Sequence, residues 1–306
     1  MKLIIKTKIK KFFFKFFVTR KILIKRHISL HKKRLKFIEK YASKFGINFY
    51  SPKDFYTINP NNYKSCHIWG SGFSANLTKE IIKSKKDIFN IGINLSAILD
   101  LKFNFYFMEN AQNNNLQLID IQKRLIENVL RPAKCIVVMK NIWQEKNDFD
   151  LALNTFKDHV SFVRDLTIPH FGDTDTVIDE CTKKLFEKDD NYFKQSCTSI
   201  VTAIIFAYNL GFKKIVLHGV DFGGGYFYDD VAENYDKDYI PKKRWSKQSE
   251  EYNKKWRNNS SHPTSGCLIP FIKNISKLLR RNDVDLYCST KKSPSSQYLN
   301  VDPELL

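Results

Sequence analysis

A short glycine loop follows the first buried run of the body of the chain. Residues 66–69 predict a strand, and Gly70, Ser71 and Gly72 come directly after it. Glycines at a strand-to-helix turn let the backbone approach a phosphate closely. The full dinucleotide fingerprint is missing, because no third glycine stands at the required spacing. The loop therefore predicts a phosphate or nucleotide contact, with a plain strand-to-helix turn as the alternative.

A second stretch, residues 197–221, predicts both ends of a phosphate-bearing site. Thr198 and Ser199 suit a helix N-terminus, an apolar run follows to Leu210, and Gly211 suits the helix C-cap. A β-branched run then ends close to Asp221. Anions bind at helix N-termini, and ligands of open α/β sheets bind outside the carboxyl ends of the strands.

Phenol and imidazole side chains occur where they could catalyse group transfer. Tyr226 and Tyr228 follow three consecutive glycines, and phenols can donate hydrogen bonds to a leaving phosphate. The alternative is a surface loop with one packed aromatic ring. His262 precedes a predicted helix, where a group with a pKa near neutrality suits a general base. A lone histidine is otherwise a surface or structural residue.

Polar residues also end two further predicted strands. Asn94 follows a strand over residues 88–93, and Glu109 follows one over residues 103–108. Polar groups at such positions converge on ligands in parallel sheets. Ordinary capping is the alternative for both.

One short motif has the spacing of a metal clamp. Asp173 and Asp175 form a DxD, and carboxylates two residues apart can share Mg²⁺ or Mn²⁺. The pair follows a Pro-His-Phe-Gly loop rather than an apolar strand. We therefore expect no metal there and no cofactor.

The elements that must position these residues alternate between strands and helices. This alternation predicts a parallel sheet covered by helices on both faces. We place a basic amphipathic arm at residues 1–40, a connector at 41–64 and the folded domain at 65–306. Residues 229–261 are polar and lack apolar periodicity, and we predict a lid there that orders on substrate binding.

The charge of the chain is concentrated in its first residues. The formal net charge is +19, but fourteen Lys and Arg and no acid precede Glu39, which leaves 37 bases against 32 acids in the rest. The folded body therefore offers no strongly basic surface, and we expect no nucleic-acid partner. The six cysteines show no CxxC spacing, which favours buried free thiols in a reducing compartment.

The arm predicts a helix in the plane of a membrane surface. No uncharged run approaches the roughly 20 residues of a spanning helix. On a helix, Phe13, Phe16, Phe17 and Ile24 share a face flanked by lysines, which is typical of helices at anionic membranes. We expect peripheral binding to an anionic membrane surface. A flexible arm, or one docked on the body, is the alternative.

Taken together, these motifs resemble the bacterial sialyltransferases of glycosyltransferase family 42. Residues 68–74 are similar to the family's apolar-G-N-G-P-S segment, and residues 198–222 are similar to its hydroxyl-opened helix followed by Gly-Val-Asp-Phe. His262 ahead of a helix and the closing run 284–288 complete the resemblance, which covers roughly residues 66–300. Ser71, Glu109 and Gly223 depart from it, since the family has Asn, Asn and Tyr at these positions.

The resemblance implies a modified Rossmann-like, inverting and metal-independent transferase. Its donor would be CMP-sialic acid or a similar CMP-activated ulosonic acid, and its acceptor a lipooligosaccharide, lipopolysaccharide or other surface glycan. His262 would be the base, and Tyr226 would stabilise the departing phosphate. The donor-side residues would be Gly70, Ser71, Gly72, Asn94, Glu109, Thr198 and Ser199, with Tyr228 as a substitute for the missing tyrosine.

Several alternatives stay open from the sequence. A Kdo transferase using CMP-Kdo fits the same resemblance. A non-catalytic nucleic-acid- or membrane-binding protein would use the basic arm alone. The oligomeric state is also open and includes a homo-oligomer.

Overall fold

The computed structural model describes residues 20–110, 115–140, 146–169, 175–196, 198–222, 226–228, 235–241 and 263–306. Its centre is a parallel sheet of eight strands, and two further strands pair in parallel beside it. The strands are β1 (Ser65–Trp69), β2 (Ile88–Ile93), β3 (Phe105–Glu109), β4 (Ile136–Lys140), β5 (Ser161–Phe162), β6 (Asp165–Thr167), β7 (Phe193–Gln195), β8 (Lys214–His218), β9 (Asp285–Cys288) and β10 (Asn300–Val301).

Seven α-helices accompany the strands in the described part of the chain. They are α1 (Arg20–Ser43), α2 (Lys79–Lys83), α3 (Leu116–Leu125), α4 (Lys146–Phe156), α5 (Asp175–Phe186), α6 (Ser199–Leu210) and α7 (Pro263–Arg280). A π-helical turn at Ile126–Leu130 extends α3. No described helix has the length and apolar content needed to span a bilayer.

The order of the strands creates a crevice at the centre of the sheet. The order is β10-β9-β8-β1-β2-β3-β4-β5, so successive strands run outward from β1 in one direction and, from β8 onward, in the other. The loops after β1 and β8 therefore leave the sheet toward opposite faces. A ligand crevice forms at such a switch point, outside the carboxyl ends of the strands. The predicted parallel α/β sheet is confirmed.

Successive residues of a strand pack into two separate hydrophobic cores, one on each face of the sheet. Phe105 and Phe107 of β3 belong to a core with α5, α6 and α7, whereas Tyr106 and Met108 pack into a second core with α3 and α4. The period of two in a strand explains this division. The predicted helices on both faces are thus present.

The helix α1 is packed against the body rather than free. Ile24 and Leu35 are 3% and 1% exposed, and Arg164 of the body donates to the Glu39 carboxylate at 2.8 Å. Ile24 therefore does not face a membrane, although the sequence placed it with Phe13 and Phe16. Its apolar side chain gains more from the core of the body, which lies within reach of the helix. Residues 1–19 lie outside the described residues.

The middle of the chain is more regular than the sequence indicates. Residues 141–190 show a less regular apolar pattern than the segments around them, yet the structure contains α4, β5, β6 and α5 in this region. The thiols of Cys66, Cys135, Cys181 and Cys288 are free and at least partly buried, and burial raises their pKa values.

Candidate functional site

Four neighbouring strands end in a row at one edge of the sheet. Gly70 follows β1, Asn94 follows β2, and Glu109 and Lys140 end β3 and β4 as register partners. Parallel neighbours lie about 4.8 Å apart, so the row spans roughly 15 Å. The exposed Asn94 has a left-handed φ of 59°, and its carbonyl accepts the Tyr106 hydroxyl at 2.6 Å. The structure thus brings the predicted strand-end residues together.

The glycine loop after β1 packs directly on the loop after β8. A Cβ on Gly70 would lie 2.5 Å from the Gly219 carbonyl oxygen, and one on Gly72 would lie 2.7 Å from the same oxygen. The Gly72 N–H also donates to that oxygen at 2.9 Å. Real Cβ contacts are not this short, so both positions require glycine. Close packing of two loops at the switch point is therefore one physical reason for the Gly-Ser-Gly sequence.

Asp221 holds the turn that follows the glycine loop. Its carboxylate accepts the Ser74 N–H at 2.8 Å, the Ser74 hydroxyl at 2.7 Å and the Ser293 hydroxyl at 2.8 Å. Burial raises the pKa of Asp221, and these three hydrogen bonds oppose that rise. The sequence marked Asp221 as a strand-end residue, but its partners lie far away along the chain. The carboxylate acts as a clamp on the loop beside Gly72.

The N-terminus of α6 meets the same edge over β3 and β4. Thr198 is the N-cap, but its side chain makes no capping hydrogen bond, and its Oγ1 is buried without a partner among the described residues. The Oγ atoms of Ser196 and Ser71 are buried and unpartnered in the same sense. Buried polar atoms are nearly always paired, so three such hydroxyls at one edge indicate a place where a ligand binds.

The Ser199 hydroxyl, in contrast, is already occupied. It donates to the Glu109 carboxylate and accepts from Lys140 Nζ at 2.9 Å, and the residue is only 3% exposed. A hydroxyl has a single proton to donate. Of the two predicted donor contacts at the helix start, Thr198 therefore has a hydroxyl without a partner among the described residues, and Ser199 contacts other protein groups.

Lys140 is a site residue that the sequence reasoning missed. Its side chain is fully buried, and Nζ lies 2.6 Å from Gln195 Oε1, 3.2 Å from Thr202 Oγ1 and 3.6 Å from Glu109 Oε1, besides its contact with Ser199. Burial lowers the pKa of Lys140, whereas Glu109 and Asp165 oppose the shift. The rule that singled out Asn94 and Glu109 applies equally to Lys140, which also ends an apolar run.

Tyr226 lies beside the glycine loop. It forms an antiparallel bridge with Gly72, and the N–H of the next residue, Phe227, donates to the Ser71 carbonyl at 3.1 Å. The Tyr226 and Tyr228 rings are stacked with centroids 5.1 Å apart. Tyr228 is only 4% exposed and packs into the core, whereas Tyr226 is half-buried. Tyr226 is thus the more accessible of the two phenols.

The remaining predicted residues fall partly outside the described range. His262, Gly223 and Asp173 are not described, nor is the side chain of Asp175. The helix α7 begins at Pro263, directly after His262, and leads through a short turn into β9. It runs antiparallel to β9, so it starts on the side of the sheet where the strands end.

Part of the predicted lid is described. Within it, Tyr235 is 8% exposed, and its ring packs edge-on against Phe227 with centroids 5.2 Å apart. The rest of residues 229–261 lies outside the described residues except for 236–241. In the described part of the chain, no three His, Cys, Asp or Glu side chains are grouped as metal ligands would be.

Comparison with known proteins gives a structural similarity and no sequence match. No family model matches the chain, and no curated protein matches it. The coordinates are similar to those of sialyltransferase CST-II bound to CMP and a trisaccharide acceptor, with 17% identity over 79% of this chain and 87% of that one and a TM-score of 0.45. CstII from Campylobacter jejuni with the substrate analogue CMP-3FNeuAc gives the same identity and TM-score over 79% and 88% of the two chains. The monofunctional alpha-2,3-sialyltransferase Cst-I from Campylobacter jejuni gives 18% identity over 80% and 82% of the chains and a TM-score of 0.44.

Proposed function

We propose that this protein is an inverting, metal-independent glycosyltransferase. It moves sialic acid or a similar ulosonic acid from a CMP-activated donor to a hydroxyl of a lipooligosaccharide, lipopolysaccharide or other surface glycan. The observation that carries the proposal is the set of buried hydroxyls of Ser71, Ser196 and Thr198 at the carboxyl edge of the sheet, which have no partner in the described part of the chain. A ligand with several acceptor oxygens, such as a nucleotide phosphate or a sugar carboxylate, would pair them.

The geometry supports a donor phosphate between the glycine loop and the start of α6. The helix N-terminus favours negative charge, and Tyr226 approaches the glycine loop from the other side. In the proposed reaction His262 takes the proton of the acceptor hydroxyl, whose oxygen attacks the anomeric carbon. The bond from that carbon to the phosphate oxygen breaks, and Tyr226 donates a hydrogen bond to the leaving CMP. A single displacement of this kind inverts the configuration.

The nucleotide and the sugar are tested together by a donor screen. The full chain is incubated with CMP-sialic acid, CMP-Kdo, a UDP-sugar and a GDP-sugar, with and without EDTA, and nucleotide release is measured. We expect release of CMP alone, unchanged by EDTA. A higher rate with CMP-Kdo would select the Kdo transferase. Thermal stabilisation by UDP or GDP but not by CMP would overturn the proposal, and RNA binding without any release would favour the non-catalytic alternative.

A peripheral position on the cytoplasmic face of the inner membrane is part of the proposal. The side of α1 that faces away from the body carries three exposed apolar residues, Ile22, Leu30 and Phe37. Exposed cations lie on the same side, namely Arg26, Lys33, Arg34 and Lys40. The one acid of α1, Glu39, is paired with Arg164. Apolar residues among cations complement an anionic lipid surface.

A further inference from the structure

A chain of hydrogen bonds connects a buried ammonium group to the surface of the site. The Lys140 ammonium has three protons, and three oxygens lie within 3.2 Å of it, from Gln195, Ser199 and Thr202. Because Ser199 Oγ accepts one of these protons, its own proton is directed to Glu109 Oε1. Hydrogen bonds are therefore donated by Lys140 to Ser199 and by Ser199 to Glu109.

Only one oxygen of the Glu109 carboxylate takes part in this series of hydrogen bonds. Its Oε1 accepts from Ser199 and lies 3.6 Å from Lys140 Nζ, whereas its Oε2 has no hydrogen-bond partner among the described residues. The side chain is 37% exposed at the carboxyl end of β3. An ionised carboxylate accepts hydrogen bonds and cannot donate them.

The pairing of Lys140 with Glu109 also affects the local charge at the carboxyl edge. A lone carboxylate at this edge would repel an anionic ligand, whereas the Lys140 ammonium offsets part of the negative charge of Glu109. Among the described residues, Asp165 also acts on Lys140, and its carboxylate accepts from Gln195 Nε2 at 3.1 Å rather than from the side of Glu109. Lys140 is thus held between two carboxylates, one of which reaches the ligand side.

We propose that Lys140 is a positioning residue for the nucleotide, which acts through Ser199 and Glu109. It offsets part of the charge of Glu109 and aims its carboxylate, so that Oε2 accepts a hydrogen bond from a donor group of the nucleotide, a ribose hydroxyl or the cytosine amino group. The inference rests on the proposed function, because it takes CMP as the nucleotide. A site for an anionic ligand can contain the Glu109 carboxylate because the Lys140 ammonium offsets its charge.

The test measures the dissociation constant of CMP for the full chain at pH 8. Lys140→Met leaves the carboxylate unneutralised, and we expect CMP to bind about tenfold more weakly. Glu109→Gln/Lys140→Met removes both charges and should bind CMP more tightly than Lys140→Met does. Lys194→Met is the matched control, because Lys194 is also a buried lysine and, within the described part of the chain, its ammonium donates to the backbone carbonyl of Glu187 and to no group of the site. It should bind CMP as the unmodified chain does.

Two nucleotide analogues identify the group that Glu109 contacts. We expect either 2′-deoxy-CMP or UMP to bind the unmodified chain about tenfold more weakly than CMP, and Glu109→Gln to lose this preference. Glu109→Gln keeps the size of the side chain, so it tests the same contact if Lys140→Met does not fold. CMP affinity that is unchanged in Lys140→Met, or selectivity that is unchanged in Glu109→Gln, would overturn the inference. Failure of the unmodified chain to bind CMP would overturn the proposed function itself.

Discussion

His67 Nδ1 and His218 Nε2 lie 2.8 Å apart in the core, on the adjacent strands β1 and β8. Their outer nitrogens contact the hydroxyls of Ser65 and Thr78 at 2.9 and 2.7 Å, and the Trp69 ring stacks on His218 with centroids 3.9 Å apart. The pair is directly beneath the switch point. Burial lowers the pKa of His67 to about 3 and that of His218 well below its usual value.

These shifts predict acid instability. The unfolded chain binds protons at these histidines near pH 6.5, before the folded chain does, so stability is complete above about pH 6.5 and falls as the pH decreases. His31 adds to the effect, since burial lowers its pKa to about 4. Each histidine should remove about 1.4 kcal/mol per pH unit below pH 6.5.

Urea unfolding at pH 8, 7, 6 and 5 measures this dependence. The raised pKa of Asp221 works in the opposite direction at lower pH and should flatten the curve there. His67→Gln/His218→Gln should be less stable at pH 8 but lose most of the slope between pH 7 and 5. A double variant with the full slope would show that other groups cause it.

Gly72→Ala should damage both the fold and the site. The added Cβ would lie 2.4 Å from Asp221 Oδ2, so the clamp or the loop must move, at a cost of about 2 kcal/mol or more. Gly46→Ala is the control, because Gly46 has a φ of 73° but open space around it. It should cost about 1 kcal/mol from backbone strain and leave CMP binding unchanged. Equal CMP affinity in both variants would contradict the assignment of the loop to the site.

Thr198→Val and Ser199→Ala should differ in their effect on stability. Thr198→Val removes a hydroxyl that has no described protein partner, so we expect little loss of stability and about tenfold weaker CMP binding. Ser199→Ala breaks the contacts with Lys140 and Glu109 and should cost about 1–3 kcal/mol of stability. Thermal unfolding measures the change in stability of each variant, and titration of CMP on the same samples measures its change in affinity. Stabilisation of Thr198→Val with unchanged CMP affinity would show that its hydroxyl contacts no ligand.

His262→Ala should abolish sugar transfer and spare CMP binding. The proposed base acts on the acceptor hydroxyl and not on the nucleotide, so its loss affects the rate of the chemical step. Steady-state transfer and equilibrium binding of CMP are measured side by side, with His159→Ala as the control. His159 is distant in sequence, and its ring lies at 3.3 Å from Glu127 on the helical segment after α3. Full activity of His262→Ala would overturn its role as base.

Membrane binding is best tested without deleting the arm. Removing residues 1–40 would also remove Ile24 and Leu35 from the core and confuse unfolding with loss of binding. Charge reversal of Arg26, Lys33 and Lys40 leaves the buried side of α1 intact. We expect it to lower co-sedimentation with vesicles containing anionic phosphatidylglycerol and to leave nucleotide affinity unchanged. RNA binding that falls in parallel would favour the alternative of a nucleic-acid partner.

Local patterns were enough to predict most of the sheet. Residues 88–93 form the strand that their apolar run predicts, and Gly211 ends α6 with a left-handed φ of 98°. The helix α4 was missed although Phe149, Leu153 and Phe156 follow a helical period, because the surrounding charges conceal it. The packed position of α1 could not be predicted, since an amphipathic helix has the same pattern against a membrane as against a protein core.

The site could be predicted only as a set of strand ends. Each strand-end residue is marked by the apolar run before it, which is why Asn94 and Glu109 were found. The contact between Lys140 and Ser199 depends on α6 crossing over β3 and β4, and no local pattern in the sequence contains that information. The same holds for Asp221 and Ser293, which meet only when β8 and β9 are in place.

The position of β8 beside β1 has a consequence for how the chain is made. Cys66 of β1 pairs with Ile215 of β8. One side of β1 therefore has no partner strand until β8, about half a chain later, has emerged from the ribosome. Until then β1 has an open apolar edge, and the nascent domain is a half-sheet of β1 to β5. The crevice between the loops after β1 and β8 is therefore completed only once β8 and the loop after it have been synthesised.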